Sequence, residues 1–140
     1  METDPVFSPD WRWVAYVSDE SGRPEVYGQA FPGPCGKWQV STDGGTEPVW
    51  ARNGKELFYK HDREMMSLAV KSTPTFAPGS PVRLFEGNYA EGHRDHPNYD
   101  VSLDGRGLPM IKEETTGSPL PIHVEIDMLS ELGRIAPRKK

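Results

Sequence analysis

Glu91, His93, Asp95 and His96 fall within one short stretch, with Asp100 close behind, and carry the side chains best suited to metal chemistry in this sequence. Imidazole and carboxylate donors so spaced can hold Zn²⁺ or another divalent ion, and an extended backbone puts His93 and Asp95 on one side. The competing reading is a polar loop whose charges are solvated. It is preferred, because local spacing often throws such clusters together. No cofactor is therefore expected, and a divalent ion bound here would be incidental. Nucleophilic catalysis needs a Ser or Cys, a His and a carboxylate meeting in space. Ser8 or Cys35 with His61, His93 or His123 supply the ingredients, but the Gly-x-Ser-x-Gly elbow is missing. Cys35, between Pro34 and Gly36, reads as an exposed turn residue. No catalytic residue is assigned.

The elements that would position these residues come from a repeat. Phe7-Ser8-Pro9-Asp10-Trp11-Arg12-Trp13-Val14-Ala15-Tyr16 returns as Trp50-Ala51-Arg52-Asn53-Gly54-Lys55-Glu56-Leu57-Phe58-Tyr59. A more damaged copy is Val101-Ser102-Leu103-Asp104-Gly105-Arg106-Gly107-Leu108-Pro109-Met110. Each runs from an apolar residue through a turn-forming Asp or Asn and a basic residue into a strand. Asn53-Gly54 and Asp104-Gly105 are hairpin pairs in which Gly supplies the positive φ. Trp11 holds that place in the first copy, so either its turn differs or the site is strained by about 1 kcal/mol. Pro109 removes a ladder donor, and its strand must be an edge or be broken.

Between the repeats the chain alternates short strands with polar turns. Trp13–Ser18 and Glu25–Ala30 read as an antiparallel pair across Asp19–Pro24, and Lys37–Ser41 follows with Trp38 and Val40 on one face. Glu56–Lys60 and Met65–Val70 repeat the pair, with Met66, Leu68 and Val70 facing one way. A Pro-rich connection over 73–81 leads to an outer strand, Val82–Phe85, and Glu86–His96 is irregular. Ile122, Val124 and Ile126 alternate in a last strand, and Met128–Ile135 forms a short amphipathic helix that Pro137 stops.

The bulk numbers agree with a turn-rich β protein. Of 140 residues, Gly and Pro contribute 14 each, well above usual, and the apolar fraction is 35%. Aromatic residues at 10% argue against a disordered chain. One cysteine excludes an internal disulfide. A net charge of −5 gives no reason to expect nucleic acid. With no apolar run of membrane length, and Met1 leading straight into Glu-Thr-Asp-Pro, the chain is expected to be soluble, without signal peptide or membrane insertion.

Strand–turn–strand units too small to bury their own faces point to a propeller. Here the sequence resembles the TolB-like, or WD40-like (PD40), β-propeller repeat, through Phe7-Ser8-Pro9-Asp10, Arg12-Trp13-Val14-Ala15-Tyr16 and Ser18-Asp19-Glu20-Ser21-Gly22. The succession Phe31-Pro32-Gly33-Pro34, Trp38–Gly45, Glu47-Pro48-Val49-Trp50 and Asn98–Ser102 is similar to the C-terminal propeller carried by many bacterial serine/threonine kinases. No kinase segment accompanies it. The triplet His93-Arg94-Asp95 has the kinase catalytic-loop order, but Asp100 stands where that loop needs Asn. The resemblance implies a bacterial protein, cytoplasmic or, within a parent protein, extracytoplasmic.

The expected fold is all-β: a partial propeller of about three antiparallel four-stranded blades in one domain, with units near 4–46, 47–96 and 97–127 and a tail from 128. An open half-ring exposes strand edges and blade flanks, so self-association into a homodimer or trimer is expected. The expected function is a non-catalytic protein- or peptide-binding module. Its contacts would come from Asp19, Glu20, Arg23, His61, Asp62, Arg63 and Arg94, with Glu91, His93, Asp95 and His96 as the metal candidates. The alternative is a hydrolase of esterase or peptidase type, or its remnant. Trp13, Trp38 and Trp50 are read as blade packing, and Asp10, Asn53 and Asp104 as turn caps.

Overall fold

The computed structural model describes residues 1–33, 36–71, 75–92 and 97–112. The strand at Ile122–Ile126 and the helix at Met128–Ile135 lie outside them, as do Cys35 and His123. Strands β1 (Glu2–Phe7), β2 (Trp13–Ser18), β3 (Glu25–Ala30) and β4 (Lys37–Gln39) pair in sequence order as one antiparallel blade. Strands β5 (Thr46–Trp50), β6 (Glu56–His61), β7 (Glu64–Lys71), β8 (Ala77–Pro78) and β9 (Val82–Glu86) form the second, with β8 and β9 both on β7. A third blade begins with isolated bridges, Tyr99 to Met110 and Tyr89 to Lys112. Among the described residues the chain is all-β, a partial propeller.

Three strands, β1, β5 and β8, lie outside the sequence reading. Strand β1 precedes the first expected strand, and Pro5 disguised it. The register of β1 on β2 shifts between Thr3 and Val6, so Pro5 sits in a bulge where no ladder N–H is required. The pairing of β5 with β6 shifts likewise between Thr46 and Val49, around Pro48. The bulge turns the chain left-handed at Asp4 (φ 55°) and Glu47 (φ 52°). The Pro-rich connection, expected to be strandless, holds β8.

The repeated turn is the same in its first and third copies. Ser8 Oγ donates to Asp10 Oδ1 at 2.6 Å and accepts from Trp13 N at 3.0 Å, while Arg12 N donates to Asp10 Oδ1 at 3.2 Å. Ser102, Asp104, Arg106 and Gly107 reproduce this at 2.5, 3.1 and 2.8 Å. The question over Trp11 is thereby answered: its turn is unchanged and its φ is 58°, beside 69° and 70° at Gly54 and Gly105. Stacking on Phe7, with ring centroids 4.9 Å apart, contributes about 1 kcal/mol and offsets the strain.

Alternation along the strands fills two cores. Trp13, Ala15, Val17 and Val26 of the first blade meet Trp50, Leu57, Tyr59, Leu68 and Val70 of the second. Phe58, Met65, Leu84 and Phe85 on the second blade's other face meet Tyr99, Val101, Leu108 and Met110. Phe76 plugs the first core, with its ring centroid 4.9 Å from Trp13 and 5.0 Å from Trp38. Trp13, Trp38 and Trp50 therefore pack between blades, as expected.

Two outcomes follow. A Cβ at Gly28 would lie 2.8 Å from Phe76 Cζ, so Gly28→Ala should lower the unfolding free energy in urea by about 1–3 kcal/mol. The Ser8 and Ser102 hydroxyls, then the Arg12 and Arg106 amides, hold Asp10 and Asp104 below the ordinary carboxylate pKa. With the folded pKa depressed, that stabilisation is complete above the ordinary value and is lost as pH falls through the lowered one. Asp10→Asn should thus lose less stability than the parent on acidification from neutral pH to about 3, read by urea unfolding.

Candidate functional site

Turns β2–β3, β4–β5 and β6–β7 gather at one end of the blades, with the segment after β9. Between them lies an open cleft of about 520 Å³. Of the candidate binding residues, Asp19, Arg23, His61 and Asp62 line it, and so does Glu91. Glu20 does not; it pairs with Lys37. Nor does Arg63, whose carbonyl accepts from Gly87 N at 2.9 Å. Arg94, His93, Asp95 and His96 lie outside the described residues. Among the described residues no three His, Cys, Asp or Glu side chains form a metal-binding group.

Arg23 fixes one wall. Its Nε donates to Glu25 Oε1 at 2.8 Å, and one terminal nitrogen reaches Thr42 O at 2.6 Å and Asp43 Oδ1 at 3.3 Å. Glu25 is 1% exposed, accepts also from Gly44 N at 3.0 Å and takes the Ser41 hydroxyl. Burial, followed by the Glu25 charge, pushes the Tyr59 phenol up to about 12. His61 Nδ1 stands 3.1 Å from Gly44 O. A β2–β3 residue thus anchors the β4–β5 turn, and that turn contacts the β6–β7 histidine.

The floor is a buried ion pair that sequence reasoning missed. Lys60 Nζ lies 3.4 Å from Glu47 Oε1 and donates to Ala90 O at 2.5 Å. Glu47 accepts from Gly92 N at 2.8 Å and Asn98 N at 2.9 Å, and Tyr99 OH donates to its carbonyl at 2.5 Å. Burial drives the Tyr99 pKa well above the ordinary value. The one available signal was position: Asp4, Glu47 and Asn98 each stand shortly before a repeat. Glu47 is the second blade's clamp on the third.

The lining is acidic. Asp4, Asp19, Asp43, Glu47, Asp62 and Glu91 face Arg23, Lys60 and the Met1 amino group, which bonds Asp19. Asp43 and Asp62 have side chains 83% and 89% exposed, so both carboxylates reach solvent, that of Asp43 while also accepting from Arg23. The one serine named as a candidate, Ser8, is committed to structure: it bonds Asp10, not a histidine.

No protein-family profile matches the sequence, and no curated protein matches it. Solved structures do. TolB from Acinetobacter baumannii aligns over 92% of this chain and 42% of its own, at 15% identity and TM-score 0.41. A candidate 6-phosphogluconolactonase from Bacteroides uniformis aligns over 90% of this chain and 42% of its own, at 16% identity and TM-score 0.51. The chain spans less than half the length of either. The second likeness agrees with the propeller fold read from the sheets, and bears on fold alone. Among the described residues no helix is long and apolar enough to cross a membrane.

Removing the floor's charge should show its role. Glu47→Gln leaves Lys60 buried without a counter-charge and should cost about 3 kcal/mol in urea unfolding, with Lys60→Met in the same chain recovering part of it.

Proposed function

We propose that this chain is a non-catalytic interaction module that seats a basic segment of a protein or peptide partner in the acidic cleft. The observation that carries this reading is convergence: Asp19, Arg23, His61, Asp62 and Glu91, from separate loops, line one open cavity. Loops held by a rigid sheet scaffold are where recognition is usually placed. The exposed carboxylates of Asp43 and Asp62 would meet Lys or Arg side chains and speed encounter. The sequence likeness to kinase-borne propellers fits a recognition role beside a catalytic domain.

Selection of peptides from a displayed random library, followed by titration of the best binder, tests this. The selected peptides should be rich in Lys and Arg, and binding should weaken as salt rises. Asp43→Lys with Asp62→Lys should reduce affinity about tenfold or more. Glu20→Lys, off the cleft, should leave it within about twofold. Selection of acidic or purely apolar peptides, or equal loss with Glu20→Lys, would overturn the assignment.

A further inference from the structure

The second blade meets the first with Trp50, Leu57, Tyr59, Leu68 and Val70, all buried. The first blade carries the counterparts of these residues on its opposite face. Val14 pairs with Gln29 as Leu57 pairs with Leu68, and Phe31 N bonds Arg12 O as Val70 N bonds Lys55 O, both at 2.8 Å. Phe7, Val14, Tyr16, Gln29 and Phe31 therefore stand where the second blade has its contact residues, turned away from it.

Part of that face is closed. Tyr16 and Tyr27 are buried and stacked, with Lys37 Nζ 4.6 Å from the Tyr27 ring centre. The rest is open. Phe31 is 47% and Phe7 38% exposed, where their counterparts Val70 and Trp50 are 5% and 7%. A cavity of about 540 Å³ runs along it, bordered by Pro5, Val14, Tyr16 and Phe31.

The third blade supplies the complementary flank. Leu108 and Met110 are buried against the second blade. Pro109 and Ile111 alternate to the other side, and Ile111 is 40% exposed. By the shared Ser–Asp turn, Pro109 and Ile111 correspond to Ala15 and Val17, the residues with which the first blade receives the second. One chain thus carries both halves of a blade-to-blade joint, at opposite flanks.

We propose that these flanks meet between two copies of this chain, Pro109 and Ile111 of one packing on Phe7, Val14 and Phe31 of the other. Two such joints related by a twofold axis close a ring, which a head-to-tail contact needs if it is not to run on as a filament. The acidic cleft lies within one chain, so this inference and the peptide reading can fail separately.

Light scattering behind a sizing column, on the full chain over a range of concentrations, tests the joint. The parent should run at about twice 15.7 kDa. Phe31→Lys alone and Ile111→Glu alone should each give single chains that keep a β-rich circular dichroism spectrum. Mixing the two variants should restore the pair, because one joint then sets Lys against Glu and the other is unaltered. If a charged variant loses its β signal, Phe31→Ser and Ile111→Ser carry the same expectation. A parent that stays a single chain throughout, as when the flanks await blades from another protein, overturns the proposal. So does a pair that survives both substitutions.

Discussion

Neither sheet can bury its two faces alone, and everything else in this molecule depends on how one blade is laid on the next. The first contact is set by Phe76, which stands just before β8 in the second blade and fills the space among Trp13, Trp38 and Trp50. That approach is open because β3 has Gly28 where a side chain would otherwise stand. Burying an aromatic of this size contributes about 2–3 kcal/mol, enough to matter against the marginal stability of a chain this long.

The second contact adds a charge. Glu47 sits at a bulge, takes two amides of the approaching third blade and holds Lys60 against it. A buried pair of this kind adds little net stability over an apolar one but is costly to break, so it favours one register over its neighbours. The acidic cleft rests on that pair. Its walls are fixed by Arg23 and Glu25, leaving the outer carboxylates exposed.

Most of the fold was legible because the strands alternate and the turns repeat. Trp13–Ser18 and Glu25–Ala30 are the strands observed, and the Ser8 and Ser102 turns have one geometry. Strand β1 was hidden because Pro5 sits at a register shift that composition cannot reveal. Half the candidate site was legible too: Asp19, Arg23, His61 and Asp62 belong to turns that topology brings together. Glu20 and Arg63 share those turns without lining the cleft, and Glu20 pairs with Lys37 instead. Glu25, Glu47 and Lys60 were missed because an isolated charge in an alternating strand reads as solvent-facing; the β4–β5 turn covers Glu25, and the approaching third blade covers Glu47 and Lys60.

The left-handed residue within β1 and within β5 has a consequence for how the protein survives in a crowded solution. An exposed strand edge is a row of evenly spaced amides and carbonyls that a foreign strand can zip onto. At Asp4 and Glu47 that row is interrupted: the chain turns out of the β region, the register slips, and the next residue is a proline with no N–H to offer. An incoming strand could match only the few residues beyond the break. The edges that β1 and β5 present are thus poor seeds for fibre growth.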